Sequence, residues 1–157
     1  MKKLLIAVSL MLPLAAMSQN SSLPYKARES SSFAMGDPTY SEKVLWLWKD
    51  FDDNTFEKHD FFSDSAVVIM ANGMVIKGKQ NAFAGIKGYR SSLKKSSSTV
   101  DAYTSLYDKT KRMNMVLIWG VGRETGQNGK ETVTQLHEVW AFNKDGKVAW
   151  MKQYAGQ

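Results

Sequence analysis

The chain of 157 residues contains no cysteine. No disulfide can form, and a lipid anchor attached to an N-terminal cysteine is excluded. Its two histidines, His59 and His137, lie far apart in the sequence, so no metal-ligand spacing is present and we expect no metal site. The serine nucleophile motif Gly-x-Ser-x-Gly is absent, and Gly120-x-Gly122 falls within a predicted strand instead of preceding a helix. We therefore expect neither a serine nucleophile nor a bound cofactor.

The N-terminal segment has the composition of a secretory signal. An apolar run from Leu4 to Leu14 follows a basic start, and Ala16 and Ser18 are small residues at the −3 and −1 positions of a cleavage site. The run is too short to span a bilayer as a helix, so no membrane anchor is expected. We predict a signal peptide at 1–18 and an exported protein, periplasmic or secreted. The lack of disulfides favours a bacterial periplasm.

Two further divisions follow from composition. Residues 19–38 are rich in serine without an apolar period, which predicts a flexible leader, and residues 39–157 are expected to form a single domain. The formal net charge is +6. The basic residues form no stripe and are not interleaved with aromatic residues, so nucleic-acid binding is not expected.

The apolar spacing in 39–157 predicts helices first and long strands last. Helices are predicted at 39–49, 55–62 and 79–94; short strands at 65–70 and 74–77 flank the turn Asn72-Gly73; four antiparallel strands are predicted at 99–107, 116–122, 132–142 and 145–154. This order is typical of an α+β domain in which helices pack on one face of a curved sheet.

Glu138 is the most informative residue of the predicted strands. Alternate residues of a strand point to the same face, so Glu138 is expected on the same side of the sheet as Leu136, Trp140 and Phe142. This places a carboxyl group on an apolar face. An unpaired ionised acid is costly to bury, so a small-molecule pocket lined by this acid is one explanation. The alternatives are that Glu138 pairs with an inward basic residue or caps a buried backbone group. His137 has the opposite parity and is expected on the outer face.

Aromatic and methionine side chains are candidates to line the same pocket. Together with Glu138 and Leu136, the predicted ligand-binding residues are Trp46, Phe62, Met70, Trp119, Trp140, Met151 and Tyr154. Filling of an ordinary core by these side chains is the alternative.

Three motifs carry a resemblance to a known superfamily. The segments 61–68 (FFSDSAVV), 72–78 (NGMVIKG) and 136–148 (LHEVWAFNKDGKV) are similar to those of the nuclear-transport-factor-2-like superfamily and its SnoaL-like branch. The resemblance extends over 41–154. It implies a cone-shaped, strongly curved antiparallel sheet wrapped around three N-terminal helices, with a pocket at the wide end. It also implies a homodimer formed through the outer face of the sheet.

The superfamily contains ketosteroid isomerases, polyketide cyclases, dehydratases, epoxide hydrolases and members without catalysis, so the fold does not decide the function. In ketosteroid isomerases the position of Glu138 holds a protonated aspartic acid that donates to the oxyanion. The position of the general base corresponds to Met70, and that of the oxyanion tyrosine lies near Trp46. Methionine cannot act as a base, so steroid isomerisation is not expected.

These observations predict an exported domain that binds a small apolar or aromatic molecule. One alternative is a lyase, isomerase or cyclase in which Glu138 acts as a catalytic general acid. The other is a non-catalytic interaction domain whose cone is filled by side chains. The first two require a ligand-sized cavity, and the third predicts none.

Overall fold

The computed structural model describes residues 24–25 and 32–156. The predicted signal peptide at 1–18 lies outside the described residues, as does most of the predicted leader before residue 32. Within the described part of the chain, no helix combines the length and apolar character that crossing a membrane requires.

The described residues form an α+β fold with a large, curved and unclosed sheet. The elements in chain order are β1 (Phe33–Met35), α1 (Thr39–Asp53), β2 (Phe62–Ile69), β3 (Val75–Lys77), α2 (Lys79–Ser91), β4 (Leu93–Asp108), β5 (Met113–Gly126), β6 (Glu131–Phe142) and β7 (Val148–Gly156). The strand order is β1-β4-β5-β6-β7-β2-β3. The four long strands form the expected antiparallel meander. However, β2 runs parallel to β7, so the sheet is mixed and the prediction of a wholly antiparallel sheet is wrong.

Two helices are present among the described residues, where three were predicted. Residues 55–61 form turns and irregular backbone instead of a helix, and Phe62 is the first residue of β2. Helix α1 ends at Asn54 in a left-handed conformation (φ 58°), and the N–H of Thr55 closes the helix end by donating to the carbonyl of Asp50 at 2.8 Å. Phe56 and Phe62 then pack against each other with centroids 5.8 Å apart. The apolar spacing of this segment arises from aromatic anchors of a loop, which periodicity does not distinguish from one helical turn.

Strand β4 begins earlier than predicted, at residue 93 instead of 99, and α2 correspondingly ends at 91. The serines at 96–98 lie within β4, and the hydroxyl groups of Ser96 and Ser98 donate to the carboxylate of Asp52 on α1 at 2.9 and 3.1 Å. This contact between distant segments has no local signal in the sequence.

Two smaller features complete the sheet. Strand β1 lies in the segment predicted as leader and pairs with the end of β4. The predicted hairpin at Asn72-Gly73 is confirmed, with β2 and β3 antiparallel and Gly73 at φ 84°. That positive φ explains the glycine, because residues with a Cβ atom rarely adopt it.

Helix α1 lies against β4 and β5 on the inner face of the sheet. Its buried side chains Val44, Leu47 and Trp48 meet inward-facing residues of the strands to form the core. Fully buried members of this core include Phe62, Val68, Val116, Ile118, Phe142 and Val148.

Candidate functional site: a cavity around a buried glutamate

Glu138 lies in the middle of β6 and faces the inner side of the sheet. It is directly opposite Ile118 of β5 and Gln153 of β7, and its side chain is 5% exposed. Trp140 follows two residues later on the same face because side chains alternate along a strand. The parity argument from the sequence therefore locates the acid correctly.

Three neutral N–H groups donate to the Glu138 carboxyl. The indole Nε1 of Trp48 and of Trp140 donate to Oε2 at 2.7 and 3.0 Å, and Gln153 Nε2 donates to Oε1 at 2.9 Å. No salt bridge to Glu138 occurs among the described residues. The two structural alternatives, an inward basic partner and a capped backbone group, are thus replaced by a side-chain network of indole and amide donors.

Burial sets the protonation of this acid. Removal from water raises the pKa of Glu138 above its ordinary value, and the hydrogen bonds from Gln153, Trp48 and Trp140 oppose the rise without cancelling it. The neutral acid is consequently favoured more than for a glutamate in water. In that form the carboxyl can donate a hydrogen bond, whereas the ionised form only accepts.

Trp48 reaches Glu138 because Gly120 leaves room on the sheet. A Cβ atom at Gly120 would lie 2.9 Å from the Trp48 ring and 2.3 Å from the carbonyl oxygen of Thr99. The pairing of β4 with β5 shifts register between Val100 and Ala102, opposite this glycine. Gly120 therefore lies opposite the bulge in β4, and it also admits the indole ring.

A cavity of about 420 Å³ opens beside Glu138. Its apolar wall includes Leu47, Trp48, Phe51, Phe56, Met70, Met74, Ile76, Ile86, Leu136, Trp140 and Met151, and its polar wall includes Asn72, Tyr89, Ser96, Ser98, Glu124, Thr134, Glu138 and Gln153. The volume lies within the usual range for small-molecule pockets. The cone is therefore not filled, which is the opposite of what the interaction-domain hypothesis predicts.

Five of the predicted lining residues border this cavity: Met70, Leu136, Glu138, Trp140 and Met151. The other four do not. Phe62 is buried in the core between Phe56, Phe83 and Trp140, so its ring packs against side chains instead of bordering the open volume.

Trp46 is also outside the cavity. It is 50% exposed on α1, with its ring 5.4 Å from that of His59. Trp48 takes the inward position instead, because residues two apart on a helix point in nearly opposite directions. The sequence analysis did not assign Trp48 to the site, although its spacing from Val44 and Phe51 was the signal that could have found it.

Trp119 and Tyr154 lie on the outer face of the sheet. They flank His137 in a cross-strand stack, with ring centroids 4.8 and 5.5 Å from the histidine. The prediction that His137 points to the outer face is confirmed, and Trp119 and Tyr154 lie on that face beside it. Both aromatic residues are therefore on the side of the sheet opposite Glu138.

The cavity also borders a pair of polar residues that the sequence analysis missed. The Tyr89 hydroxyl of α2 donates to Glu124 of β5 at 2.5 Å, and Tyr89 is half exposed. Partial burial, with help from the hydrogen bond to Glu124, raises the pKa of Tyr89 to about 12. This tyrosine therefore remains a hydroxyl donor at neutral pH.

The histidine on the helical side belongs to a separate cluster. His59 Nδ1 lies 2.6 Å from Oδ2 of the buried Asp50, and Phe61 stacks on the histidine ring. Neither His59 nor Asp50 borders the cavity. Over the described part of the chain, no three histidine, aspartate or glutamate side chains assemble into a group that could hold a metal ion.

Comparison of the structure with solved structures identifies the fold. An NTF2-like protein of unknown function from Cytophaga hutchinsonii is 18% identical, with a TM-score of 0.55 over 77% of this chain and 100% of the other. An LEH-like epoxide hydrolase from M. tuberculosis is 12% identical, with a TM-score of 0.61 over 74% of this chain and 82% of the other. A putative SnoaL-like polyketide cyclase from Shewanella denitrificans is 10% identical, with a TM-score of 0.57 over 76% and 92%.

Sequence comparisons add nothing to this. No protein-family model matches the chain, and no curated protein matches it. The structural matches confirm the resemblance to the nuclear-transport-factor-2-like superfamily at the level of the fold. Solved structures with this fold include proteins named as cyclases, as an epoxide hydrolase and as proteins of unknown function.

Proposed function

We propose that this chain is an exported protein that binds a small apolar or aromatic molecule in the cavity beside Glu138. The observation that carries the proposal is the position of one buried carboxyl group on the wall of an otherwise largely apolar cavity of about 420 Å³. The apolar wall contributes most of the contact area. Glu138 supplies a fixed polar point that orients the ligand, which is the usual division of labour in such pockets.

The site is preorganised for this role. Trp48, Trp140 and Gln153 hold the carboxyl in one orientation without a ligand. A ligand therefore meets a polar group whose rotamer is already fixed, which lowers the entropic cost of binding.

Enzymatic activity is the second candidate, with Glu138 as the general acid of a lyase, isomerase or cyclase reaction. The raised pKa of Glu138 supports it, because burial favours the protonated form, which is the form that can transfer a proton to a substrate. The polyketide cyclase and epoxide hydrolase names among proteins of this fold are compatible with such chemistry.

A thermal-shift screen of the purified protein against steroids, polyketides and aromatic acids tests the binding proposal. We expect at least one compound class to raise the melting temperature. Leu136→Trp, which adds a ring to the cavity wall, should abolish the shift, whereas Glu131→Trp adds the same ring at an exposed position on the same strand and should preserve it.

The Glu138→Gln variant then separates the two candidates. A binding protein does not convert the ligand found in the screen, with or without Glu138. An enzyme converts it and loses this turnover in Glu138→Gln, because glutamine cannot donate a proton as an acid. If no compound shifts the unmodified protein and Leu136→Trp merely stabilises it, the cavity has no ligand-binding role.

Export and self-association are further parts of the proposal. The signal sequence at 1–18 supports export to the periplasm or outside the cell. The outer face of the central strands supports a homodimer, because it presents half-buried or exposed apolar residues such as Leu117, Trp119, Val139 and Trp150.

A further inference from the structure

The cavity wall is acidic and has no counterbalancing cation. Two carboxyl groups, Glu124 and Glu138, border it, and no lysine, arginine or histidine is among the described residues that line it. The full chain nevertheless carries a formal net charge of +6. The basic side chains of the described residues therefore lie outside the wall of this cavity, where a bound anion would need them.

The hydrogen-bond donors of the wall are largely engaged within the protein. The indole and amide N–H groups described above converge on Glu138, and the Tyr89 hydroxyl donates to Glu124. The hydroxyls of Ser96 and Ser98 donate to Asp52. Next to Glu138 the wall therefore leaves a ligand mainly acceptor capacity, because a carboxylate has about four lone-pair sites and Glu138 receives three donors.

Aromatic rings surround this acceptor. Trp48 and Trp140 flank Glu138, and Phe51, Phe56 and Tyr89 line the remainder of the cavity. Trp48 and Trp140 use their N–H edges to hold the carboxyl group, and the other rings supply apolar surface for the body of a ligand.

We propose that the ligand is a protonated primary or secondary amine with an apolar or aromatic body, whose nitrogen donates to Glu138. This proposal rests on the proposed binding function and specifies its ligand class. Burial favours the protonated acid in the empty site, so binding of the ammonium ion releases that proton to solvent and forms an ion pair that the protein itself does not supply. A carboxylate ligand meets two acidic groups and no cationic partner, so it is rejected.

Three matched probes test the charge preference: 4-phenylbutylamine, 4-phenyl-2-butanone and 4-phenylbutanoate. They share an aromatic body and differ in carrying a cationic donor, a neutral acceptor or an anion. Binding to the purified protein at neutral pH is measured by calorimetry and by tryptophan fluorescence, since Trp48 and Trp140 border the cavity. We expect the amine to bind at least tenfold more tightly than the ketone, and the carboxylate to bind most weakly.

The Glu138→Gln variant should reduce amine affinity at least tenfold and leave ketone affinity within about threefold. Glu131→Gln removes the same charge from an exposed position of the same strand and should leave all three affinities unchanged. This control separates a local contact with Glu138 from a change in net charge.

Three other outcomes would contradict the amine proposal. Equal affinities for the three probes, or tightest binding of the ketone, overturn the amine proposal and leave the binding function intact. Tightest binding of the carboxylate overturns it as well. If none of the probes binds and no compound in the thermal-shift screen binds either, both proposals fail together.

Discussion

Glu138 is held by neutral donors, and this determines the result of replacing it. In Glu138→Leu the indole N–H groups of Trp48 and Trp140 and the amide of Gln153 lose their acceptor. Each buried donor left without an acceptor costs about 1–3 kcal/mol. Part of this loss is offset because the variant no longer buries a carboxyl group. We expect a net loss of about 2–4 kcal/mol in the free energy of unfolding, measured by urea denaturation.

Two variants frame that measurement. Glu138→Gln retains an acceptor oxygen and should cost less than about 1 kcal/mol. Glu131→Leu changes an exposed glutamate of the same strand and should stay within about 0.5 kcal/mol. If Glu138→Leu is neutral or stabilising, the hydrogen bonds to Glu138 do not contribute to the stability of the fold.

The raised pKa of Glu138 predicts a pH dependence of stability. The folded protein binds this proton more tightly than the unfolded chain, whose acid has the ordinary value of 4.5. The contribution of Glu138 is therefore complete below about pH 4.5 and decreases as the pH rises through the folded pKa, by at most about 1.4 kcal/mol per pH unit. Above the folded pKa it is constant.

The difference between the unmodified protein and Glu138→Gln isolates this effect, because other titrating groups cancel. We expect the stability of the unmodified protein relative to the variant to be greatest near pH 4 and to decline as the pH rises. Urea midpoints between about pH 4 and pH 8 provide the measurement. A relative stability that increases with pH would mean that the hydrogen bonds outweigh burial and that the acid is ionised in the fold.

At the level of elements, the contact between α1 and β5 depends on Gly120. Gly120→Ala brings a methyl group against the Thr99 carbonyl and the Trp48 ring, so either the bulge in β4 or the indole must move. We expect a loss of at least about 2 kcal/mol in urea denaturation, together with weaker binding of any ligand that uses Glu138. Trp48 would then no longer position the carboxyl.

Gly88→Ala is the matched control. Gly88 lies in α2 with open space around its Cα, and alanine is the better helix former by about 1 kcal/mol. This variant should be neutral or stabilising. Equal losses from the two substitutions would indicate that backbone freedom, and not the close approach of Trp48, explains Gly120.

The elements that could be predicted from the sequence are those with a regular pattern over many residues. Strand β6 is a long run rich in β-branched and aromatic residues, which predicted its bounds to within one residue, and the shared face of Leu136, Glu138 and Trp140 predicted the inward direction of Glu138. The turn at Asn72-Gly73 has a local chemical cause and was also found. The segment 55–62 has only three aromatic residues to define a period, and these anchor a loop instead of a helix.

The residues of the candidate site were predicted only in part, because the faces of single elements can be predicted but their contacts cannot. The spacing of Trp48 from Val44 and Phe51 is typical of the apolar stripe of a helix, whereas the resemblance to ketosteroid isomerases pointed to Trp46. Trp119 and Tyr154 were predicted to face inward but lie on the same face as His137, because alternation within one strand does not give the register between strands. The cavity depends on contacts between distant segments, such as Trp48 with Glu138, and these have no local signal.

For the whole molecule, the outer face of the sheet raises the question of self-association. Cross-strand rows join Leu117 to Val139 and Trp119 to His137 and Tyr154, and Tyr154 is 46% exposed. An exposed aromatic cluster of this kind often marks a protein–protein contact, so we expect a dimer of twice the chain mass in sedimentation equilibrium. Opposing like charges at the symmetric contact should separate the two copies.

Trp119→Glu introduces a negative charge on the outer face of the sheet. Val75→Glu is the control, because it introduces the same charge at an exposed apolar position on the edge strand β3. We expect the first variant to sediment as a monomer and the second to remain dimeric. Ligand binding should survive in both, because Trp119 lies on the side of the sheet opposite the cavity and Val75 does not line it. If the unmodified protein sediments as a monomer at every concentration, the stacked residues Trp119, His137 and Tyr154 do not form a dimer contact. If monomeric Trp119→Glu loses ligand binding, formation of the dimer shapes the cavity.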